Sequence, residues 1–260
     1  MRLATYQSGK VSILYDATSL CDAEHGPQIG AELLDPEHWQ RQGLVVGQAP
    51  GRGQSLFLDA GEHQWVLRPY RRGGLIARLS TDHYIWIGLQ RTRAFREMRL
   101  TASLHQAGLP VPRPILAGVE HHGLTYRAAL ITQRLPQTIA LAEHLTKEYL
   151  TNADTGSSPL EDPLLREVGR VIRRFHDHGL DHVDLNARNL LVDDQQRIWL
   201  IDLDRCRLRS PGTWRQANLA RLSRSFQRFC ENTATAAMAM QAVQLGYDSI
   251  SNDSDHSLTT

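Results

Sequence analysis

From Gly43 the chain alternates short apolar runs with turn residues. Gly-Leu-Val-Val-Gly leads into the glycine-rich stretch Gln48 to Gln54; then come Ser-Leu-Phe-Leu-Asp, a turn at Ala60-Gly61, and Gln-Trp-Val-Leu-Arg-Pro-Tyr. Apolar runs this short, punctuated by Gly and Pro, predict antiparallel strands. After a polar Arg/Gly segment, Phe95, Met98, Ala102 and His105 recur at helical spacing, predicting a helix from about Leu89 to Gln106 that Gly108 and Pro110 stop. Ile115 to Val119 and Leu124 to Gln133 read as two more strands around the turn His121-His122-Gly123.

Past Leu135-Pro136 the pattern turns helical. Thr138 to Leu150 predicts a helix, TNADTGSSPLEDP a polar loop, and Pro163 to His178 a helix with Pro at its start and Gly179 at its end. LLVDD and RIWLIDL are short strands, helical sequence runs from about Trp214 to Gln244, and YDSISNDSDHSLTT reads as unfolded. The chain is therefore expected to be α+β, with a protein-kinase-like division into two lobes once its chemistry is considered. The expected boundaries are an extension at residues 1–42, a small strand-rich lobe at 43–135, a larger helical lobe at 136–245 and a flexible tail at 246–260.

Composition narrows the class. The 260 residues include 41% hydrophobic positions, and 29 Lys+Arg against 28 Asp+Glu leave a net charge of +1. A globular chain of this size buries on the order of 75% of its extended surface and needs no staples. Cys21, Cys206 and Cys230 are odd in number and widely separated, which suggests neither a disulfide framework nor a zinc site. MRLATYQSGKVSILYD lacks the apolar run of a signal peptide, and Asn232 to Tyr247 is too polar to span a membrane. A cytoplasmic chain is expected, with no nucleic-acid partner and no required protein partner.

Within the balanced charge lies a bias of kind: Lys10 and Lys147 are the only lysines, and arginines cluster at Arg68, Arg71, Arg72 and Arg78, then at Arg91, Arg93, Arg96 and Arg99. Coding bias is one reading. A surface that meets anions is the other, because the planar guanidinium fork suits carboxylate and phosphate.

The candidate chemistry sits in His182-Val183-Asp184-Leu185-Asn186-Ala187-Arg188-Asn189-Leu190-Leu191 and, after a strand-turn-strand, Ile201-Asp202-Leu203-Asp204. This resembles the protein-kinase catalytic loop, with an Asp, an Asn five residues on, and a metal-binding Asp after the next hairpin. The spacing suits phosphoryl transfer from ATP: Asp184 orients an acceptor hydroxyl, while Asn189 and Asp202 offer hard oxygen ligands to Mg2+. His182 is expected to hold the loop rather than move protons. Gly51 and Gly53, between two strands, leave backbone N–H groups open to phosphate, and Glu97 stands where a kinase keeps the partner of its phosphate-holding lysine. That lysine is replaced by Arg68. The glycine of D-F-G is missing and no A-P-E segment follows, an economy suited to a small-molecule acceptor. Asp204 is open between a second metal ligand and an ion pair with Arg205 or Arg207. His176, His178 and His182 straddle a helix end and make a poor transition-metal set.

Together WVLRPYRRGGLIARL, AFREMRLTASLHQAGLPVPRPI and DHVDLNARNLLVD resemble the lipopolysaccharide kinase family, most closely its branch acting on 3-deoxy-D-manno-octulosonic acid (Kdo), over about Gly43 to Arg228. The resemblance implies ATP-dependent phosphorylation of the 4-hydroxyl of Kdo on a lipid A precursor, at the cytoplasmic face of the inner membrane. It also implies an arginine at the lysine position; Pro69, where His is the more frequent residue, is a local departure. A kinase of aminoglycoside or choline type, or a non-catalytic kinase-like binding module, is the alternative. Cationic acceptors call for an acidic pocket, however, and this chain surrounds its motifs with arginine. An acyl-anchored acceptor implies work at an anionic membrane surface, through Arg71, Arg72, Arg91 and Arg93; the amphipathic stretch Leu219, Leu222, Phe226 and Phe229 reads first as a helix packed on the larger lobe, with apolar insertion of Leu219, Leu222 and Phe226 as the alternative to arginine attachment.

Overall fold

A computed structural model of the chain describes residues 1–20, 29–49, 55–61, 63–70, 83–151 and 158–253. Gly51, Gly53, Arg71, Arg72, Arg78 and Cys21 lie outside the described residues. The chain divides into two compact units, Met1–Gly108 with Pro112–Arg134, and Leu109–Val111 with Leu135–Thr260.

The first unit is built on antiparallel strands. Its elements are β1 (Leu3–Ser8), β2 (Val11–Asp16), α1 (Ala17–Leu20), α2 (Pro36–Arg41), β3 (Val45–Gln48), β4 (Leu56–Asp59), β5 (Gln64–Pro69), β6 (Tyr84–Ile85), α3 (Arg93–Gln106), β7 (Pro114–His122) and β8 (Thr125–Gln133). The strands form one sheet in the order β1-β2-β7-β8-β5-β4-β3, with β6 also paired to β8. Strands thus begin forty residues before the first apolar run at Gly43. The β1 sequence Leu-Ala-Thr-Tyr-Gln-Ser is an edge strand exposed along almost its whole length, so it carries no apolar alternation to read. The predicted helix start at Leu89 is a 3-10 turn, Leu89–Arg91, and α3 proper begins at Arg93.

Successive strand residues point to opposite faces, and the core follows that period. Ile13, Leu67, Leu116 and Ile131 pack with Trp39 and Trp65 on one face. Their neighbours Leu14, Ala117 and Leu130 pack on the other, against Phe95 and Met98 of α3. Arg68 follows Leu67 and so belongs to the α3 face. At the end of β2 the carboxylate of Asp16 is buried and accepts from the Arg2 backbone N–H at 3.0 Å, the Thr18 hydroxyl at 2.8 Å, the Ser19 hydroxyl at 2.9 Å and Arg113 at 2.6 Å. Burial alone would raise its pKa; those hydrogen bonds outweigh it and hold the group at about 2.

The second unit contains β9 (Ile139–Ala140), α4 (Leu141–Thr146), a π turn at Lys147–Thr151, α5 (Pro163–Asp177), β10 (Leu180–Asp181), β11 (Leu190–Val192), β12 (Ile198–Leu200), β13 (Arg207–Leu208), α6 (Trp214–Phe226) and α7 (Thr233–Asp253). Its strands form two small sheets, β12-β11-β9 and β10-β13. The helix expected over Thr138 to Leu150 is shorter, because Ile139 and Ala140 pair with β11 before α4 starts. At the N-terminus of α5 the Asp162 carboxylate accepts from the Leu164 N–H at 2.8 Å, and Pro163 occupies the first turn.

Helix α7 overturns the expectation of an unfolded tail from Tyr247: it continues to Asp253. Gly246, just before that stretch, is a point of close approach to α5. A Cβ there would lie 1.9 Å from the Arg166 carbonyl oxygen, and one at Gly169 would lie 2.0 Å from the Val243 carbonyl oxygen. The apolar face of α6 is likewise turned inward: Leu222 and Phe226 are fully buried, so they are core residues and unavailable for insertion into a bilayer. Among the described residues no helix is long and apolar enough to cross a membrane.

Candidate active site

In the strand-rich unit, the structure brings Arg68 and Glu97 together. Arg68 sits on β5 and Glu97 on the stripe of α3 that also carries Ala94, Met98 and Thr101, so the carboxylate is 4% exposed within an otherwise apolar contact. It is held there from two sides, since the Arg68 guanidinium and the Tyr70 hydroxyl each donate to one of its oxygens. Tyr70 is also flanked by cations: the Arg68 and Arg93 guanidinium carbons lie 5.0 and 5.4 Å from its ring centre. Burial, reinforced by the Glu97 charge, pushes the Tyr70 hydroxyl well above its usual range, so it stays a donor. Sequence reasoning missed Tyr70. Its signal was present in the two-residue spacing from Arg68, which puts both on one side of the strand as it runs out.

In the helix-rich unit, the loop after β10 is ordered by its own side chains. The Asp184 carbonyl accepts from the amide nitrogens of Asn186 at 2.9 Å and Asn189 at 3.0 Å. Asn186 Oδ1 accepts from the Arg188 N–H at 2.9 Å. Leu185 and Ala187 are buried as anchors, and the Ala187 N–H donates to the Ser225 hydroxyl of α6 at 3.0 Å. Between these anchors the Asp184 side chain is exposed. The loop is tied to the hairpin after it by the Ile201 N–H, which donates to the Asn189 carbonyl at 3.0 Å.

His182 is buried and braces both segments. Its backbone N–H donates to Asn218 Oδ1 at 3.0 Å, and its Nε2–H donates to the Ile201 carbonyl at 3.1 Å. Burial holds its pKa below the usual value, so the ring is neutral. Asn218 Nδ2 in turn donates to Asp181 at 3.1 Å, and Asp181 also meets Arg209 at 3.0 Å and Arg207 at 3.6 Å. The residue after Ile201, Asp202, has φ of 60°, a left-handed backbone rarely taken by a non-glycine residue. Such a conformation persists only where its surroundings impose it. Asp204 is not far from Arg205, at 3.8 Å, whereas Arg207 turns to Asp181.

Asn218 and Ser225 are the other residues that sequence reasoning passed over. Both lie on the buried stripe of α6 with Leu222 and Phe226. A polar side chain on an apolar stripe is the signal that could have found them, since burial demands a partner for it.

The donors at Asn189 and Asp202 are oxygens. The Asn189 amide nitrogen donates to the Asp184 carbonyl, so its oxygen is the atom of that side chain that could ligate a metal. One carboxylate and one amide oxygen suit Mg2+, which takes few protein ligands and completes its shell with phosphates and water. Among the described residues no group of three or more His, Cys, Asp or Glu could hold a metal ion.

Comparison with known proteins agrees in one direction. The model of the lipopolysaccharide kinase (Kdo/WaaP) family matches residues 36–247. Among curated proteins, the chain is 41% identical to a 3-deoxy-D-manno-octulosonic acid kinase of Vibrio cholerae over 76% of this chain and 80% of that one. It is 43% identical to that of Xanthomonas campestris, over 88% and 86%, and 45% identical to that of Stenotrophomonas maltophilia, over 82% and 79%. Extending over both the strand-rich and the helix-rich unit, these matches show that the chain belongs to the lipopolysaccharide kinase (Kdo/WaaP) family.

Proposed function

We propose that the chain is an ATP-dependent kinase with a protein-kinase-like fold that phosphorylates the 4-hydroxyl of Kdo in a Kdo–lipid A precursor, during lipopolysaccharide core biosynthesis. The observation that carries the reading is the loop Asp184–Asn189, in which two side-chain amides grip the Asp184 carbonyl while the carboxylate stays exposed. Such order before substrate arrives is what positioning catalysis requires.

In this reading the Asp184 carboxylate accepts a hydrogen bond from the acceptor hydroxyl, aims its lone pair at the γ-phosphorus of ATP, and takes its proton as the new P–O bond forms and the bond from that phosphorus to the bridging oxygen breaks, ADP leaving with the bonding electrons. Asn189 Oδ1 and the Asp202 carboxylate would hold Mg2+. The ion, when bound, neutralises charge on the triphosphate and leaves it open to attack. Arg68 presents a planar fork that serves Glu97 and a phosphate together, and Tyr70 fixes the Glu97 end. Gly51 and Gly53, outside the described residues, are proposed to let backbone N–H groups reach phosphate. The carboxylate and phosphates of the acceptor match the arginine bias, and the acyl anchor of such a precursor places the work at the cytoplasmic face of the inner membrane.

The test is incubation with labelled ATP, Mg2+ and, separately, Kdo–lipid A precursor, free Kdo, choline and an aminoglycoside. Label is expected in the Kdo–lipid A precursor, at the 4-position. Transfer to choline or the aminoglycoside, or to none of the four, would sink the assignment.

A further inference from the structure

Between His182 and Asn189 the loop carries two charged side chains, Asp184 and Arg188, and only Asp184 has a part in the chemistry above. Both stay exposed, whereas the intervening Leu185 and Ala187 are buried as anchors. The loop also closes on itself. Asn189 Nδ2 donates to the Asp184 carbonyl at 3.0 Å, and the Asn189 N–H donates to the Asn186 carbonyl at 3.1 Å. Arg188, next to Asn189, is thereby carried back toward Asp184, and its backbone is held there by its own N–H, which donates to Asn186 Oδ1 at 2.9 Å.

The Arg188 side chain is supported without being neutralised. Its guanidinium carbon lies 5.4 Å from the ring centre of Phe229, in the turn after α6. Among the described residues it meets no carboxylate and its side chain makes no hydrogen bond. Other arginines of the same unit are paired: Arg173 with Asp177, Arg197 with Asp193 and Arg209 with Asp181. A guanidinium resting on an aromatic ring keeps its in-plane N–H donors, and these form a fork that fits a planar anion. A cation in this loop also works against a cationic acceptor.

The acceptor proposed above offers such an anion close to the reacting hydroxyl. In a 3-deoxy-2-ulosonic acid the carboxyl carbon is C1, separated from C4 by C2 and C3 alone, whereas the phosphates of a lipid A precursor sit on other sugar rings. We propose that Arg188 binds the carboxylate of the acceptor sugar through its paired N–H donors and so sets the preference for an acidic sugar. The proposal rests on the reading of the acceptor given above and adds the group that recognises it. Asp184 on the hydroxyl and Arg188 on the carboxylate fix both the position and the rotation of the ring, which a single contact leaves free.

The test compares full-length wild type, Arg188→Gln and Arg188→Lys on the Kdo–lipid A precursor, on the same precursor with the Kdo carboxylate converted to its methyl ester, and on the precursor stripped of its lipid A phosphates. On the intact precursor Arg188→Gln should raise KM for the acceptor by about tenfold to hundredfold, the range for a hydrogen-bonded charged partner. KM for ATP should stay within about twofold of wild type, and Arg188→Lys should recover only part of the loss because the fork is gone. The methyl ester should weaken wild type by a similar factor and Arg188→Gln by little more, since one partner is already missing. Removing the phosphates should leave the effect of Arg188→Gln as it was. An unchanged acceptor KM in Arg188→Gln, an equal rise in KM for ATP, a fully additive loss with the methyl ester, or an effect that disappears with the phosphates overturns the proposal. A second readout needs no turnover: free Kdo should shift the Arg188 Nε–H signal in 1H–15N spectra of wild type, and its methyl ester should not. A signal unmoved by Kdo, or moved equally by both, also overturns it. Failure of wild type to label the precursor would count against the acceptor assignment, and the Arg188 signal would still decide whether this residue takes a sugar carboxylate.

Discussion

Asp184 and Arg68 make opposite demands on their surroundings. The Asp184 carboxylate must stay exposed to reach a hydroxyl while its backbone is immobile, which the amides of Asn186 and Asn189 achieve. Asp184→Asn should therefore lower kcat by about 10²-fold or more, with ATP affinity nearly intact. A folded variant turning over within about threefold of wild type would remove Asp184 from the role. Arg68 is instead held by a buried anion, and its two tasks depend on the fork. Arg68→Ala should raise KM for ATP or depress kcat. Arg68→Lys should rescue only part, because a point charge cannot serve Glu97 and a phosphate in one plane. Tyr70→Phe removes one of the donors that Glu97 keeps, and its effect on KM for ATP is expected in the same direction and smaller. Full activity in Arg68→Ala would mean that another group holds the phosphates.

Among the elements, the α5–α7 pair separates helix propensity from packing. Alanine is favoured over glycine inside a helix by about 1 kcal/mol, so Gly246→Ala would stabilise an isolated α7. In the folded chain the added Cβ would lie 1.9 Å from the Arg166 carbonyl oxygen, a backbone atom that no rotamer change can move. Overpacking of this kind costs about 1–3 kcal/mol and occasionally more, enough to reverse the sign. Urea denaturation should give a lower midpoint for Gly246→Ala than for wild type; a raised midpoint would show that the helices can separate without penalty. The same contact explains why the end of α7 escaped sequence reading. Gly, Asp, Ser and Asn after Leu245 look like a helix stop, and only the neighbouring helix reveals the glycine as a contact point.

At the scale of the whole molecule, buried titratable groups set the response to acid. Burial, helped by the Arg215 charge, lowers the His176 pKa from 6.5 to about 4. The unfolded chain then gains a proton as pH falls through 6.5 while the folded chain stays neutral until about 4, so the stability this group supports is lost across that window. For a shift of this size the loss is about 3 kcal/mol. Asp16 acts lower down: its folded pKa of about 2 lies below the ordinary 3.8, and its contribution disappears as pH drops from about 4 towards 2. Urea midpoints at pH 7.5 and pH 5 should therefore differ in wild type, and much less in His176→Phe; an equal drop in both chains would place the acid sensitivity elsewhere. A second global expectation concerns attachment. With Leu222 and Phe226 in the core, insertion of that stripe is removed and the attachment expected is electrostatic. Of the arginines considered for it, Arg91 is exposed, whereas Arg93 packs over the rings of Tyr70 and Tyr84. Co-sedimentation with anionic vesicles, absent with neutral ones, should fall steeply between about 50 and 300 mM salt as screening shortens its range. Salt-insensitive binding would contradict an electrostatic attachment.

What the sequence determined by itself is the chemistry whose spacing is local. Asp184 and Asn189 share one loop, Asp202 follows one strand-turn-strand later, and the strands and helices around them carry their own apolar periods and stop signals. Such features are legible because the relevant residues are brought together by a few backbone turns. The tertiary structure decided what depends on distant neighbours. It placed Glu97 among apolar side chains where Arg68 and Tyr70, 29 and 27 residues away, must satisfy it. It gave the polar strand β1 a partner, settled the α6 stripe as the packed helix the sequence favoured over a membrane-binding one, carried α7 past Gly246, and set His176 and His182 around one cavity. The physical reason is common to these cases: burial and close approach are properties of two surfaces, and a single stretch of chain specifies only one of them.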